Sequence, residues 1–206
     1  CNVEGLYENY YNDDYFILFQ KLKLEAAKEK IPIEILPGME VYASEEVPAL
    51  LKEGKIMTIN GSRYILIEFG NQKDLALINF VIDELTNLGC VPIIAHPERY
   101  SYVQKSPLIA ASWIKRGCLI QVNKGSILGS FGNHAKNTAI YMLRQGMVSI
   151  IASDAHGSLI RTTDMSAVYD YIWNNFSEEM AYTLMEQNPY NVIHNLDIIE
   201  QKLILN

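Results

Sequence analysis

The stretch Val148-Ser-Ile-Ile-Ala-Ser-Asp-Ala-His-Gly157 combines a buried-strand pattern with two side chains that can carry chemistry. Residues 148–152 form a short, nearly all-apolar run, which is typical of a strand buried on both faces of a parallel sheet. Asp154 and His156 follow at positions i and i+2, so a continued extended backbone would place both side chains on one side of the chain. This order predicts a site at the carboxyl end of the strand, although an exposed turn with an ordinary Asp and His also fits this stretch alone.

The same arrangement recurs upstream, where titratable side chains accompany other predicted strands. A predicted strand at 33–36 precedes Glu40, an apolar run at 64–69 contains Glu68, and a strand at 91–95 precedes His96. With a further strand at 118–122, the alternation of strands and helical segments predicts a βα repeat with five main parallel strands. Barrel enzymes carry their chemistry at the carboxyl ends of such strands, so we expect these side chains to converge there.

Capping and turn signals predict the remaining elements. Asn60-Gly61 predicts the tight turn of a β-hairpin over residues 55–69. The segment Gly125–Gly129 is interpreted as a loop. The predicted helices cover residues 14–30, 45–53, 74–88, 106–117, 133–145, 164–174 and 177–187, with a weaker helical pattern over 191–206.

Composition and charge limit the class of protein. The 206 residues fit one domain, and an apolar content of 49% with 20% charged residues is that of a globular chain. A net charge of −7, without a block of Lys or Arg, argues against nucleic acid and anionic membranes as partners. Apolar runs are too short for a membrane span. The three cysteines form neither CxxC pairs nor an even framework, which predicts a cytoplasmic protein.

The side chains expected at the carboxyl ends of the strands are those of Glu40, Glu68, His96, Asp154 and His156. Such a set of carboxylates and imidazoles predicts a metal site for Mn, Fe or Zn. Each residue also has an ordinary explanation: Glu40 as a strand-end acid, Glu68 paired with a basic residue, and His96 as a core or capping histidine. Arg99 and Arg161 offer planar forks for a phosphate or carboxylate group, unless they are simple surface residues. Other chemistries lack their motifs, since no cysteine is followed six positions later by Arg and no GxxxxGK[ST], GxGxxG or GxSxG occurs.

Five short motifs together identify a family resemblance. They are Pro37-Gly-Met-Glu40, Tyr64-Ile-Leu-Ile-Glu-Phe69, Ile94-Ala-His-Pro-Glu-Arg-Tyr100, Gln121-Val-Asn123 and Ile151-Ala-Ser-Asp-Ala-His156. The chain resembles the manganese-dependent protein-tyrosine phosphatases of capsular and exopolysaccharide synthesis, in the polymerase-and-histidinol-phosphatase (PHP) superfamily. The resemblance implies a distorted (β/α)₇ TIM-like barrel with metals at the carboxyl ends of the strands.

The resemblance also implies a role for each ligand. By matching motif positions, Glu40 would bridge two metals, and Glu68 with His96 would complete the second. Asp154 would ligate the first metal and His156 the third. The implied cofactor is Mn²⁺, with three ions in the intact family fold and Fe or Zn as alternatives.

Arg99 and Arg161 match family positions that contact phosphate, so the resemblance implies Arg99, Arg161 and Asp154 as catalytic residues. The implied reaction is hydrolysis of phosphotyrosine on a protein by metal-activated water, without a covalent enzyme intermediate. The implied partner is a bacterial tyrosine kinase that controls polysaccharide synthesis. The resemblance is also compatible with a homo-oligomer. Two alternatives remain: a small-molecule phosphoesterase of the histidinol-phosphatase type, and an inactive fragment that acts as an interaction module.

The beginning of the sequence departs from the family pattern. The family's opening strand carries a His-x-His pair with a nearby acid, and its second strand ends in a Thr-Pro-His-like motif; neither occurs here. The segment Cys1-Asn-Val-Glu-Gly5 resembles the sequence that follows the missing histidine. We therefore expect the chain to lack one or two βα units at its amino end.

Overall fold

A sheet of five parallel strands forms the centre of the computed structural model, which describes residues 13–71 and 74–204. In chain order the strands are β1 (Glu40–Tyr42), β2 (Tyr64–Glu68), β3 (Val91–Ala95), β4 (Leu119–Asn123) and β5 (Ile150–Ala152). Each strand pairs in parallel with the next strand along the chain. The carboxyl ends of all five therefore lie at one edge of the sheet, and the predicted parallel α/β architecture is confirmed.

Helices connect the strands and complete the described part of the chain. They are α1 (Asp13–Lys28), α2 (Val47–Lys52), α3 (Leu75–Asn87), α4 (Ser101–Lys105), α5 (Leu108–Ile114), α6 (Lys124–Leu128), α7 (Gly132–Arg144), α8 (Ser166–Asn175), α9 (Glu178–Tyr182) and α10 (Asn188–Ile193), with short 3-10 turns at Ile59–Gly61 and Pro97–Arg99 and a π-helical turn at Thr183–Gln187. In the described ranges, no helix combines the length and the apolar character that a membrane crossing requires.

The strand side chains alternate between two apolar clusters. Ile65 and Ile67 belong to the larger cluster, where they pack with residues of α3 such as Ile82. Tyr64 and Ile93 belong to the smaller cluster on the other face. Successive side chains of a strand point to opposite faces, so burial on both faces explains why these strands read as nearly continuous apolar runs.

The predicted hairpin over residues 55–69 is wrong. Asn60 and Gly61 do adopt positive φ values of 50° and 68°, as the Asn-Gly turn signal predicts. However, residues 59–61 form a 3-10 turn, and β2 pairs with β1 on one side and β3 on the other. Because both edges of β2 are occupied by parallel strands, no edge remains for an antiparallel partner.

Three other segments also differ in structure from the prediction. The strand expected at 33–36 is displaced to Glu40–Tyr42, where pairing with β2 and burial of Val41 fix it, while Ile33 remains exposed. Residues 124–128 form helix α6 instead of a loop. Residues 196–204 have no regular structure. Of the segment 191–206 predicted to be helical, residues 191–193 are helical, and they form the end of α10.

Candidate metal centre

Three neighbouring strands bring Glu40, Glu68 and His96 together at the carboxyl edge of the sheet. The Nε2 atom of His96 lies 2.9 Å from Glu40 Oε1 and 3.9 Å from Glu68 Oε1. One potential ligand atom from each of the three side chains falls within 4.8 Å of the others. The predicted convergence is therefore present for these three residues.

Their positions on the strands differ in one respect from the prediction. Glu68 is the last residue of β2, and His96 follows β3 directly in a left-handed conformation with φ 33°. Glu40 instead begins β1, paired in register with Leu66, which is two residues before Glu68. Its carboxylate nevertheless reaches His96 because β1 is only three residues long and its whole length lies near this edge.

Burial and charge both perturb this group. Burial raises the pKa of Glu68, and the neighbouring Glu40 carboxylate adds to that rise, while His96 and Arg99 oppose it. Burial alone would lower the pKa of His96, but the hydrogen bond and negative charge of Glu40 outweigh it and raise that pKa. Two carboxylates confined beside one imidazole form a site that a cation would stabilise.

The donor set fits a divalent transition metal. Two carboxylate oxygens and one imidazole nitrogen are ligands suited to Mn, Fe or Zn. The ring of His96 packs edge-on against Tyr100 at 5.9 Å, while its Nδ1 atom is buried without a hydrogen-bond partner in the described part of the chain. Because Nε2 is the ring atom that approaches Glu40 and Glu68, it is the candidate ligand atom of His96.

Asp154 and His156 form a second group beside the first. Asp154 follows β5 with φ 46°, and its side chain is only 7% exposed. Its Oδ2 atom accepts hydrogen bonds from Arg161 Nη2, from Asn123 Nδ2 at 2.6 Å and from Arg99 Nη1 at 3.4 Å. His156 lies on the same loop, with Nδ1 3.0 Å from the Asp154 carbonyl and 3.5 Å from Oδ1. The expected single constellation is thus resolved into two adjacent groups.

A cleft of about 270 Å³ opens beside the first group. Its walls include Glu68, His96, Arg99, Tyr100 and Phe131. Arg99 links the two groups, since it contacts Asp154 and its charge also acts on Glu68 and His96. The cleft therefore presents the Glu68 carboxylate, an imidazole and a guanidinium to one small volume.

Several residues that support the site lie outside the set of site residues predicted from the sequence. Asn123 ends β4 at the same edge, so its strand position was an available signal. The buried ammonium of Lys124 donates to the carbonyl oxygens of Thr162 and Asp164, which fixes the far end of the loop that carries Arg161. Pairing of Lys124 with carbonyl groups distant in sequence has no local sequence signal.

Glu98 is another buried support for the site. It is fully buried in the 3-10 turn after His96, and Oε1 accepts from Ser126 Oγ at 2.6 Å and from the Asn123 backbone N–H at 3.1 Å. Burial raises the pKa of Glu98, and these hydrogen bonds offset part of that rise. The carboxyl group therefore joins the turn bearing His96 and Arg99 to the end of β4.

Replacing Glu98 with Ala is expected to lower the free energy of unfolding by about 2–3 kcal/mol, because two donors are left buried without an acceptor. Glu29 is exposed, so Glu29→Ala as a matched control should change that free energy by less than about 0.5 kcal/mol. Urea unfolding followed by circular dichroism measures both. Equal stabilities of the two variants would contradict a structural role for Glu98.

Fold and site define an α/β protein with a candidate carboxylate–histidine metal centre at the carboxyl edge of a parallel sheet. The family model described as capsular polysaccharide synthesis, CpsB/CapC, matches residues 7–194. The chain belongs to this family.

Two curated relatives match most of the chain. It is 29% identical over 181 residues to the tyrosine-protein phosphatase YwqE of Bacillus subtilis, which covers 88% of this chain and 71% of YwqE. It is 30% identical over 183 residues to the tyrosine-protein phosphatase CpsB of Streptococcus pneumoniae, covering 86% and 74% of the two chains.

One solved structure also matches most of the chain. A crystal structure from work on YwqE of Bacillus subtilis and CpsB of Streptococcus pneumoniae, described as unique metal-dependent tyrosine phosphatases, superimposes with a TM-score of 0.84 at 26% identity. The match covers 91% of this chain and 76% of the other. The parallel α/β fold described above is therefore shared with that structure.

Proposed function

We propose that this protein is a metal-dependent phosphotyrosine-protein phosphatase. The observation that carries the proposal is the metal-ligand group of Glu40, Glu68 and His96, of which Glu68 and His96 line one cleft with Arg99. This arrangement combines ligands for a cation with a donor for phosphoryl oxygens, which hydrolysis of a phosphate monoester requires. The names of the relatives support tyrosine phosphate on a protein as the substrate.

Both groups of side chains would take part in metal binding. Glu40, Glu68 and His96 would hold one ion, and Asp154 with His156 would supply ligands to further ions beside it. Mn²⁺ is the proposed cofactor, with Fe or Zn as alternatives that the same donor set accommodates. A metal bound here would act as a Lewis acid and lower the pKa of a water ligand.

The two arginines would bind and orient the phosphoryl group. Arg99 and Arg161 approach Asp154 Oδ2 from loops that follow different strands, and their side chains are 34% and 29% exposed. Each guanidinium is therefore held at Asp154 and keeps enough solvent access to meet a ligand. Planar forks of this kind match the geometry of phosphoryl oxygens.

The cysteines of the described residues are poorly suited to act as nucleophiles. Burial raises the pKa of the Cys118 thiol to about 12 and also raises that of Cys90. A thiol attacks as the thiolate, so both groups are in their unreactive form near neutral pH. The proposed reaction accordingly transfers the phosphoryl group directly to water, leaving tyrosine and inorganic phosphate.

The wider setting is proposed from the family description of capsular polysaccharide synthesis. The substrate would be a phosphorylated bacterial tyrosine kinase that controls capsule or exopolysaccharide production. The free thiols of Cys90 and Cys118 support a reducing, cytoplasmic location. The five-stranded sheet would be part of a distorted (β/α)₇ barrel that forms one domain.

Phosphate release from a phosphotyrosyl peptide tests the proposal. A chelator is expected to abolish activity of the purified protein, and added Mn²⁺ is expected to restore it, because the ligand group requires a cation. A Cys90→Ser, Cys118→Ser double variant serves as the thiol control and should retain its turnover per bound metal. Chelator-resistant hydrolysis, or loss of turnover in the double variant at full metal content, would contradict the proposal. Absence of hydrolysis at full metal content would contradict it equally.

A further inference from the structure

Phe131 lies against both candidate phosphate-binding arginines. It precedes α7 and forms part of the cleft wall. The guanidinium carbon of Arg99 is 4.7 Å from the centroid of its ring, and that of Arg161 is 5.5 Å away. One aromatic ring thus contacts two cations that come from separate loops, after β3 and after β5.

Two guanidinium groups so close to one another repel, and each long side chain loses conformational freedom when it is held in one place. Asp154 offsets the repulsion by accepting hydrogen bonds from both. The face of an aromatic ring carries partial negative charge and attracts a cation without occupying its hydrogen-bond donors. Phe131 can therefore hold Arg99 and Arg161 near each other while their N–H groups remain able to bind oxygen.

The ring of Phe131 packs closely against Gly125. A Cβ atom added at Gly125 would lie 2.7 Å from Cε2 of Phe131 and 3.3 Å from Cδ2 and Cζ. Gly125 lies within helix α6, where Gly is less favourable than Ala by about 1 kcal/mol. The close approach of the ring gives a packing reason for glycine at this helical position.

We propose that Phe131 is a positioning residue that sets the spacing and direction of Arg99 and Arg161 for a phosphoryl group. The inference rests on the proposed phosphatase function, in which the two arginines bind the phosphate. Gly125 contributes indirectly, because it leaves the space that the ring occupies. Phe131 itself takes no part in bond making or breaking.

The test uses Phe131→Leu, which keeps an apolar side chain but removes the aromatic face. Competitive inhibition by inorganic phosphate should weaken about tenfold, the scale of losing two cation–π contacts. KM for a phosphotyrosyl peptide should rise similarly, with unchanged metal content by elemental analysis. Phe131→Tyr retains the aromatic face and should restore both values. The exposed Phe80 on α3 provides the matched control, Phe80→Leu, with phosphate inhibition like that of wild type.

Gly125→Ala gives an independent arm because it displaces the ring without changing Phe131. Inorganic phosphate should inhibit Gly125→Ala more weakly than wild type, as in Phe131→Leu. If Phe131→Leu does not fold, Gly125→Ala alone tests whether Phe131 positions the arginines. Wild-type inhibition constants in Gly125→Ala, or in a folded Phe131→Leu, would overturn the proposal. These results are distinguishable from failure of the phosphatase function itself, in which the wild-type protein would not hydrolyse the peptide.

Discussion

The Asp154→Asn variant is expected to hydrolyse phosphotyrosine about a thousandfold or more slowly than wild type. This is the scale of removing a group that stabilises the transition state electrostatically. Asp154 Oδ2 accepts from Arg161, Asn123 and Arg99, so it orients both proposed phosphate-binding side chains. Asparagine has the same shape but no charge, and it removes a proposed metal ligand as well. The two arginines would then be held together without the anion that offsets their repulsion.

The fold of Asp154→Asn should be retained. Arg99 and Arg161 are each about one-third exposed, so water can solvate them when the carboxylate is neutralised. The exposed Asp170 on α8 is the matched control, and Asp170→Asn should turn over like wild type. Steady-state kinetics with a phosphotyrosyl peptide, together with circular dichroism, measures both expectations. Wild-type turnover in a folded Asp154→Asn protein would remove Asp154 from the mechanism.

The Glu68→Gln variant is expected to bind Mn²⁺ at least about 100-fold more weakly, because loss of a ligand should exceed the 10–100-fold typical of losing its outer-shell partners. The Glu68 side chain is 13% exposed and lies 3.9 Å from His96 Nε2. Glutamine preserves its volume but removes the charge that a cation requires. Titration calorimetry with Mn²⁺ measures the change directly.

A stability measurement separates this metal role from a structural one. Burial and Glu40 both raise the pKa of Glu68, which means that its charged form is costly in the metal-free protein. The metal-free Glu68→Gln protein should therefore unfold within about 1 kcal/mol of wild type, while the stabilisation by added Mn²⁺ is lost. The exposed Glu34 offers Glu34→Gln as the control, with wild-type affinity. Equal Mn²⁺ affinity in Glu68→Gln would exclude Glu68 as a ligand.

Much of the fold is predictable because it depends on local signals. Helix α3 lies within the range 74–88 predicted for it. Asp74 caps it by accepting from the N–H groups of Ala76 and Leu77, and Gly89 follows its end with φ 79°. The apolar runs at β3, β4 and β5 become buried strands. In these segments, hydrophobic periodicity and cap chemistry favour the same structure.

The candidate site was predictable to the extent that it follows strand order. Glu68 ends β2, and His96 and Asp154 come just after β3 and β5, so parallel pairing alone places them at one edge. The contacts of Phe131 with Arg99 and Arg161 had no such signal. They join residues far apart in the chain, and only the packed helices α6 and α7 bring that ring to the cleft.

The sequence by itself determined the parallel βα architecture and the side chains that gather at its carboxyl edge. Local hydrophobic patterns specify which segments become buried strands, and the order of these segments along the chain specifies which side chains follow them. Tertiary structure decided which partners each segment took. Asn60-Gly61 has the backbone angles of a tight turn, yet β1 and β3 occupy both edges of β2 and no hairpin forms. Likewise, only folding separates the Glu40, Glu68 and His96 group from Asp154, since the partners of each carboxylate depend on distances in space rather than on sequence spacing.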